Sequence, residues 1–161
     1  MIDLSYSEAE AITAGNTLPV PHSGAAQFAV GPARPFRILL VDDEIEIWWN
    51  DCLAALIASG YQVDTAEDGS VGWTALGTHD YDLLITDNKM PKLFGVDLIL
   101  NVRARGRAFP IILASTLSPL IPGGQKKSFA DVYFLEKPVS LSELFRTLDR
   151  IKLMKRDEYE C

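Results

Sequence analysis

Cysteine is scarce in this sequence of 161 residues. Cys52 and Cys161 lie far apart, the first in an expected helix and the second at the chain end, which excludes a disulfide framework and a cysteine-built zinc site. Long hydrophobic runs are missing too. Each apolar stretch holds a handful of residues, well short of the roughly 20 that cross a bilayer. The opening MIDLSYSEAEA is acidic and lacks the basic start and greasy centre of a signal peptide, so the expected location is cytoplasmic. Positive charge is the third shortage. Fifteen Lys and Arg stand against twenty-two Asp and Glu, a net charge of -7, and no basic face is evident to grip a phosphate backbone. Neither nucleic acid nor membrane is an expected partner.

What is present suits a globular protein. Hydrophobic residues make up 48% and charged residues 23%, and the length accommodates one domain of about 125 residues with a tail. Residues 1 to 35 carry Gly15, Pro19, Pro21, Gly24, Gly31, Pro32 and Pro35 without an apolar period, which predicts a flexible N-terminal arm, with at most a helical turn over Ser7 to Ala14. From Phe36 to Arg156 compact apolar runs alternate with helix-like stretches: FRILLV, YQVDTA, YDLLIT, IILAS and VYFL each precede a more polar segment. Residues 157 to 161 are left as a short tail. Because Ile38 to Val41 and Leu83 to Ile85 are almost continuously apolar, the strands are expected to be parallel and covered on both faces, an α/β three-layer sandwich.

The first helix, about Ile45 to Ala58, sets Ile45, Trp49, Cys52, Leu53 and Leu56 on one stripe with Trp48 at its edge. Neighbours on a helix point about 100° apart, so one of the two tryptophans is expected at the surface. The last helix opens with Ser140 and Glu143 at capping-box spacing and is expected to bury Leu141, Leu144, Phe145, Leu148 and Ile151.

In an open parallel sheet, ligands bind beyond the carboxyl ends of the strands. The first strand there runs into Asp42-Asp43-Glu44, the third into Asp87, the fourth into Ser115-Thr116 and the fifth into Glu136-Lys137-Pro138. Singly these residues are ordinary: an aspartate after a strand commonly caps the next helix, a lysine is commonly solvated, and a serine can bond to backbone. Together, carboxylates at close range call for a cation or raised pKa values. All-oxygen ligands with solvent access favour Mg2+.

The segments ILLVDDE (38 to 44), AEDG (66 to 69), DLLITDNKMP (82 to 91) with Gly95, PIILAS (110 to 115) and FLEKP (134 to 138) together resemble the receiver domain of two-component response regulators. The resemblance covers about Phe36 to Arg156 and implies a flavodoxin-like, five-stranded parallel sheet in the order 2-1-3-4-5. It implies that Asp87 is the phospho-acceptor, that Asp43 ligates Mg2+ directly and Asp42 through water, and that the Lys89 backbone carbonyl is a further metal ligand. Ser115 and Lys137 would bind the phosphoryl oxygens, and Phe134, with Ser115, would form the switch. The expected partner is a histidine kinase or a histidine phosphotransfer protein. The downstream protein is unspecified and a homodimer is left open.

The sequence also departs from that family. Thr116 replaces a smaller residue beside Ser115, and Lys89 adds a cation at the rim. In Thr116 to Ala130 (TLSPLIPGGQKKSFA), Pro119, Pro122, Gly123 and Gly124 oppose the family's fourth helix, since an interior proline costs about 3 kcal/mol and a glycine about 1. A loop or short turn is expected. The expected function is a stand-alone receiver that acts through protein contacts, as a phosphorelay intermediate or as a phosphate sink, and is not an enzyme in the ordinary sense. A receiver-like interaction module that is never phosphorylated is the alternative. A magnesium-dependent phosphohydrolase would need an acid two residues after the nucleophile, where Lys89 stands.

Overall fold

The computed structural model describes residues 34–159 with the exception of residue 122. The expected arm therefore lies outside the described residues, apart from Arg34 and Pro35. The described chain runs β1 (Arg37–Val41), α1 (Ile45–Trp48), α2 (Asn50–Ala58), β2 (Gln62–Ala66), α3 (Gly69–Thr78), β3 (Leu83–Asp87), α4 (Gly95–Ala104), β4 (Ile111–Ser115), a 3-10 helix (Lys126–Phe129), β5 (Val132–Glu136) and α5 (Leu141–Tyr159). Helix α5 thus continues past Arg156, into residues expected as a tail.

All four strand pairings are parallel and the order is β2-β1-β3-β4-β5. Side chains alternate between the faces of a strand, and this alternation divides the core in two. Ile38, Leu40, Leu83, Ile85, Ile112, Ala114 and Leu135 pack with residues of α2 and α5. Leu39, Val41, Leu84, Ile111, Leu113 and Val132 pack with residues of α3 and α4. The central strands β3 and β4 are buried along their whole length, whereas the edge strands β2 and β5 are partly exposed. That is the burial expected from the near-continuous apolar runs of the middle strands.

Two helices differ from expectation, and one segment agrees with it. The expected single helix over Ile45 to Ala58 is broken at Trp49, whose backbone (φ -119, ψ -2) ends α1 and starts α2. Trp49 is fully buried and Trp48 only half-buried, so the two tryptophans do part company. Leu141 is exposed instead of buried and Phe145 is partly buried, while Leu144, Leu148 and Ile151 hold the core side of α5. As the first residue of the helix, Leu141 precedes the turn that meets the sheet, and the Ser140 hydroxyl caps it by accepting from the Glu143 amide at 3.2 Å. Residues 116–130 carry no α-helix among those described, only the 3-10 turn near their end, as the prolines and glycines predict.

Candidate functional site

Asp42, Asp87, Ser115 and Lys137 each sit at or one step beyond a strand end, where one more rung of the ladder pins the chain. The Asp42 amide donates to the Ala66 carbonyl at 3.1 Å, the Asn88 amide to Ala114 at 3.2 Å, and the Lys137 amide to Ser115 at 3.1 Å. These bonds fix where the side chains leave the sheet. Gly95 lets the loop after β3 fold back. Its amide donates to the Asn88 carbonyl at 2.9 Å, and a Cβ there would collide with the Asp87 carbonyl and lie 2.9 Å from the Asn88 Cα. Opposite, Lys92 holds a left-handed backbone (φ 68) and its ammonium meets Asp68 at 2.6 Å. Asp68 also caps α3 by accepting from the Ser70 and Val71 amides. The Lys92 hydrogen bond, followed by that of Val71, holds the Asp68 carboxyl below its ordinary range.

The acidic residues converge. Asp42, Asp43 and Asp87 each offer one carboxylate oxygen, and these three atoms lie within 4.8 Å of one another. Asp42 is fully buried, Asp87 nearly so, and Asp43 is exposed. An all-oxygen, partly open site of this kind fits a hard divalent cation such as Mg2+. The Asp42 carboxylate is already well used: Oδ1 accepts from the Glu44 amide at 2.8 Å, and Oδ2 accepts from the Trp49 indole at 2.7 Å and from the Lys137 ammonium at 2.5 Å. With its lone pairs so engaged, Asp42 suits an indirect part in cation binding better than a direct one.

Lys137 lies 3.4 Å from Asp87 Oδ1, further than from Asp42. The Trp48 ring covers the same ammonium at 5.6 Å. Asp87 Oδ1 accepts from the Asn88 amide at 2.8 Å. Burial pushes the Asp87 carboxyl above its ordinary range; the Asp42 charge adds to this, and Lys137 and the Asn88 amide only partly oppose it.

Ser115 is nearly buried at the end of β4, where its hydroxyl accepts from the Leu117 amide at 3.4 Å. It lines a groove of about 610 Å3 with Thr116, Leu117, Pro119, Ile121 and Phe134. Phe134 shares a sheet face with Val132, and because only a loop and one 3-10 turn cover that corner, it stays 46% exposed. Lys89 and Thr116 have exposed side chains at the rim.

Residues 38–149 match the family model described as the response regulator receiver domain. The chain belongs to this family. Its receiver is 34% identical over 121 residues to the transcriptional regulatory protein DltR of Streptococcus agalactiae, an alignment covering 74% of this chain and 52% of that protein. It is 30% identical over 121 residues to the probable transcriptional regulatory protein SilR of Salmonella typhimurium, covering 74% and 51%. The chain therefore spans about half the length of these curated relatives. Among solved structures, the chemotaxis response regulator CheY4 of Vibrio cholerae is 28% identical with a TM-score of 0.63, covering 73% of this chain and 98% of that one. The response regulator TrrA of Thermotoga maritima, solved in complex with Mg2+ and BeF, is 30% identical with a TM-score of 0.61, covering 71% and 97%. The expected fold, strand order and family are all found. Receiver domains are signalling modules of two-component systems that take phosphoryl groups from histidine kinases or phosphotransfer proteins.

The receiver's site contains side chains that the sequence did not single out. Trp49 reads there as a core residue, yet its indole bonds Asp42. Trp48, at the edge of the stripe, covers Lys137 while its own indole donates to Glu44 at 2.8 Å. The only hint was the position of both rings, a few residues after the acidic triplet. No helix among the described residues is long and apolar enough to cross a membrane.

Proposed function

We propose that this receiver accepts a phosphoryl group on Asp87 from a phosphohistidine of a histidine kinase or phosphotransfer protein, in a Mg2+-dependent reaction. The observation that carries the reading is the convergence of Asp42, Asp43 and Asp87 on one point with the buried Lys137 ammonium between two of them. In the transfer, an Asp87 oxygen attacks phosphorus. The P–N bond to the donor imidazole breaks, its electron pair returns to the ring nitrogen, and an acyl phosphate forms on Asp87. Asp43 and Asp87, with Asp42 through water and the Lys89 carbonyl, would hold the cation, which supplies screening of the negative charge gathered between nucleophile and phosphoryl group. Lys137 neutralises a phosphoryl oxygen, and the Ser115 hydroxyl donates to another.

The signal would leave through protein contacts or by onward transfer, in a relay or as a phosphate sink. The apolar groove between Ser115 and Phe134 supports an output at this corner, because it adjoins the reacting centre directly. The test is intact-mass analysis after incubation with acetyl phosphate and Mg2+. Wild type should gain the mass of one phosphoryl group, and Asp87→Asn should gain none. An Asp87→Asn protein that gains one at the wild-type rate overturns the assignment. No gain in either protein would instead favour an interaction module that is never phosphorylated.

A further inference from the structure

We infer that Trp49 is a positioning residue for this site: its indole N–H holds the Asp42 carboxylate in place when Lys137 turns from Asp42 to a phosphoryl group on Asp87. This rests on the phospho-acceptor reading above and adds a residue to it.

Asp42 is a carboxylate without contact with solvent. It survives burial through three donors, the Glu44 amide on Oδ1 and the Trp49 indole and Lys137 ammonium on Oδ2. A buried charge left short of partners is strongly unfavourable. The three donors differ in what phosphorylation does to them. The Glu44 amide is backbone and stays. Lys137 carries its charge at the end of a flexible four-carbon stem and already lies 3.4 Å from Asp87. A phosphoryl group brings about -1.5 to -2 charges to that side and attracts the ammonium away from Asp42. Trp49 is neutral and therefore not drawn to the new charge.

Trp49 is also fixed. It is fully buried, its carbonyl accepts from the Leu53 amide at 2.6 Å, and its amide donates to Ile45 at 2.9 Å. It stands at the break between α1 and α2, the departure from the single helix expected, and from there its ring packs in the core with Cys52 and Leu56 while its N–H reaches Asp42 at the sheet end. Filling the core needs a large apolar group. It does not need an N–H directed at a buried carboxylate. Without that N–H, Oδ2 of Asp42 depends on Lys137 alone, so the lysine is retained on Asp42 and the phosphoryl group loses its cationic partner.

Two ligands should therefore respond differently. With Mg2+ saturating, beryllium fluoride should bind Trp49→Phe about tenfold more weakly than wild type, the scale of one hydrogen bond to a charged group, whereas affinity for Mg2+ alone should change by less than about threefold, since the cation does not draw Lys137 away and Asp42 then keeps both the lysine and the Glu44 amide as donors. A general loosening of the fold would weaken both together. Because Phe also leaves a small void, the parallel variant replaces Trp49 with 3-benzothienylalanine, which keeps the ring shape and lacks the N–H. It should match Trp49→Phe. Wild-type beryllium fluoride affinity in the isostere, or equal losses for both ligands, overturns the inference.

A third measurement does not depend on altering Trp49. In the Trp48→Phe/Trp73→Phe protein, Trp49 is the sole tryptophan, and its emission should change when beryllium fluoride is added to the Mg2+-loaded protein, as the ammonium leaves the indole's partner. Unchanged emission with beryllium fluoride bound also overturns it. A wild-type protein that binds neither ligand would sink the phospho-acceptor reading itself, a result distinct from either of these.

Discussion

At Asp87, burial and the neighbouring Asp42 carboxylate both favour the neutral acid over the ionised one. An acid whose folded pKa is raised stabilises the fold below its unfolded pKa, and that contribution is lost as pH rises through the folded value. Above the ordinary aspartate range Asp87 therefore opposes folding. Asp87→Asn should melt at a higher temperature than wild type at pH 7 in EDTA, and the gap should narrow on acidification towards the ordinary aspartate range; calorimetry across that window checks it, and a less stable Asp87→Asn contradicts it. Added Mg2+ should then raise the melting temperature of wild type but much less that of Asp87→Asn, by mass action on the folded state. Lys137 presents the opposite case. Its ammonium compensates the fully buried Asp42 at 2.5 Å, so Lys137→Met should lose about 3–5 kcal/mol in urea unfolding, the usual consequence of stranding one member of a buried ion pair.

Among the elements, the loop from β3 to α4 is close-packed at Gly95. A methyl group on Gly95 would meet the Asp87 carbonyl, the Asn88 Cα at 2.9 Å and the Leu113 side chain at 2.9 Å. Gly95→Ala should lose roughly 1–3 kcal/mol, as overpacking does, and should slow phosphorylation because Asp87 itself has to shift. Gly77, inside α3, is the contrast, because a methyl group there would have nothing within 4 Å. Gly77→Ala should gain up to about 1 kcal/mol from helix propensity with an unchanged phosphorylation rate. Denaturant unfolding of the two variants beside wild type separates the effects. The corner between β4 and β5 is built differently. There the chain places prolines and glycines where a covering helix would lie, and the result is an apolar groove with Leu117, Leu120 and Phe134 exposed.

Across the whole molecule, the site and this groove share Ser115, so on the proposed reading a phosphoryl group engaging its hydroxyl would act on the groove wall. Amide exchange through residues 116–130 should slow on addition of Mg2+ and beryllium fluoride, with little change in β1 or β3; equal exchange in both states would place the output elsewhere. The sequence by itself determined the layered α/β fold, because near-continuous apolar strands need cover on both faces, and it determined which residues reach the active edge, because a side chain following a strand has only one edge to occupy. It likewise determined that the described residues of 116–130 form no α-helix, since proline and glycine act through local backbone chemistry. The partners of the buried charges were decided only by tertiary structure. Lys137 could be placed at the site from its position after β5, but that it sits 2.5 Å from Asp42 and 3.4 Å from Asp87 depends on how the strand ends settle against one another. Trp49 occupies an apolar stripe in sequence, where a ring reads as core. Its role became visible only once a broken helix brought an indole N–H to a carboxylate 7 positions earlier in the chain, because a hydrogen bond depends on direction as well as proximity, and periodicity carries no record of direction.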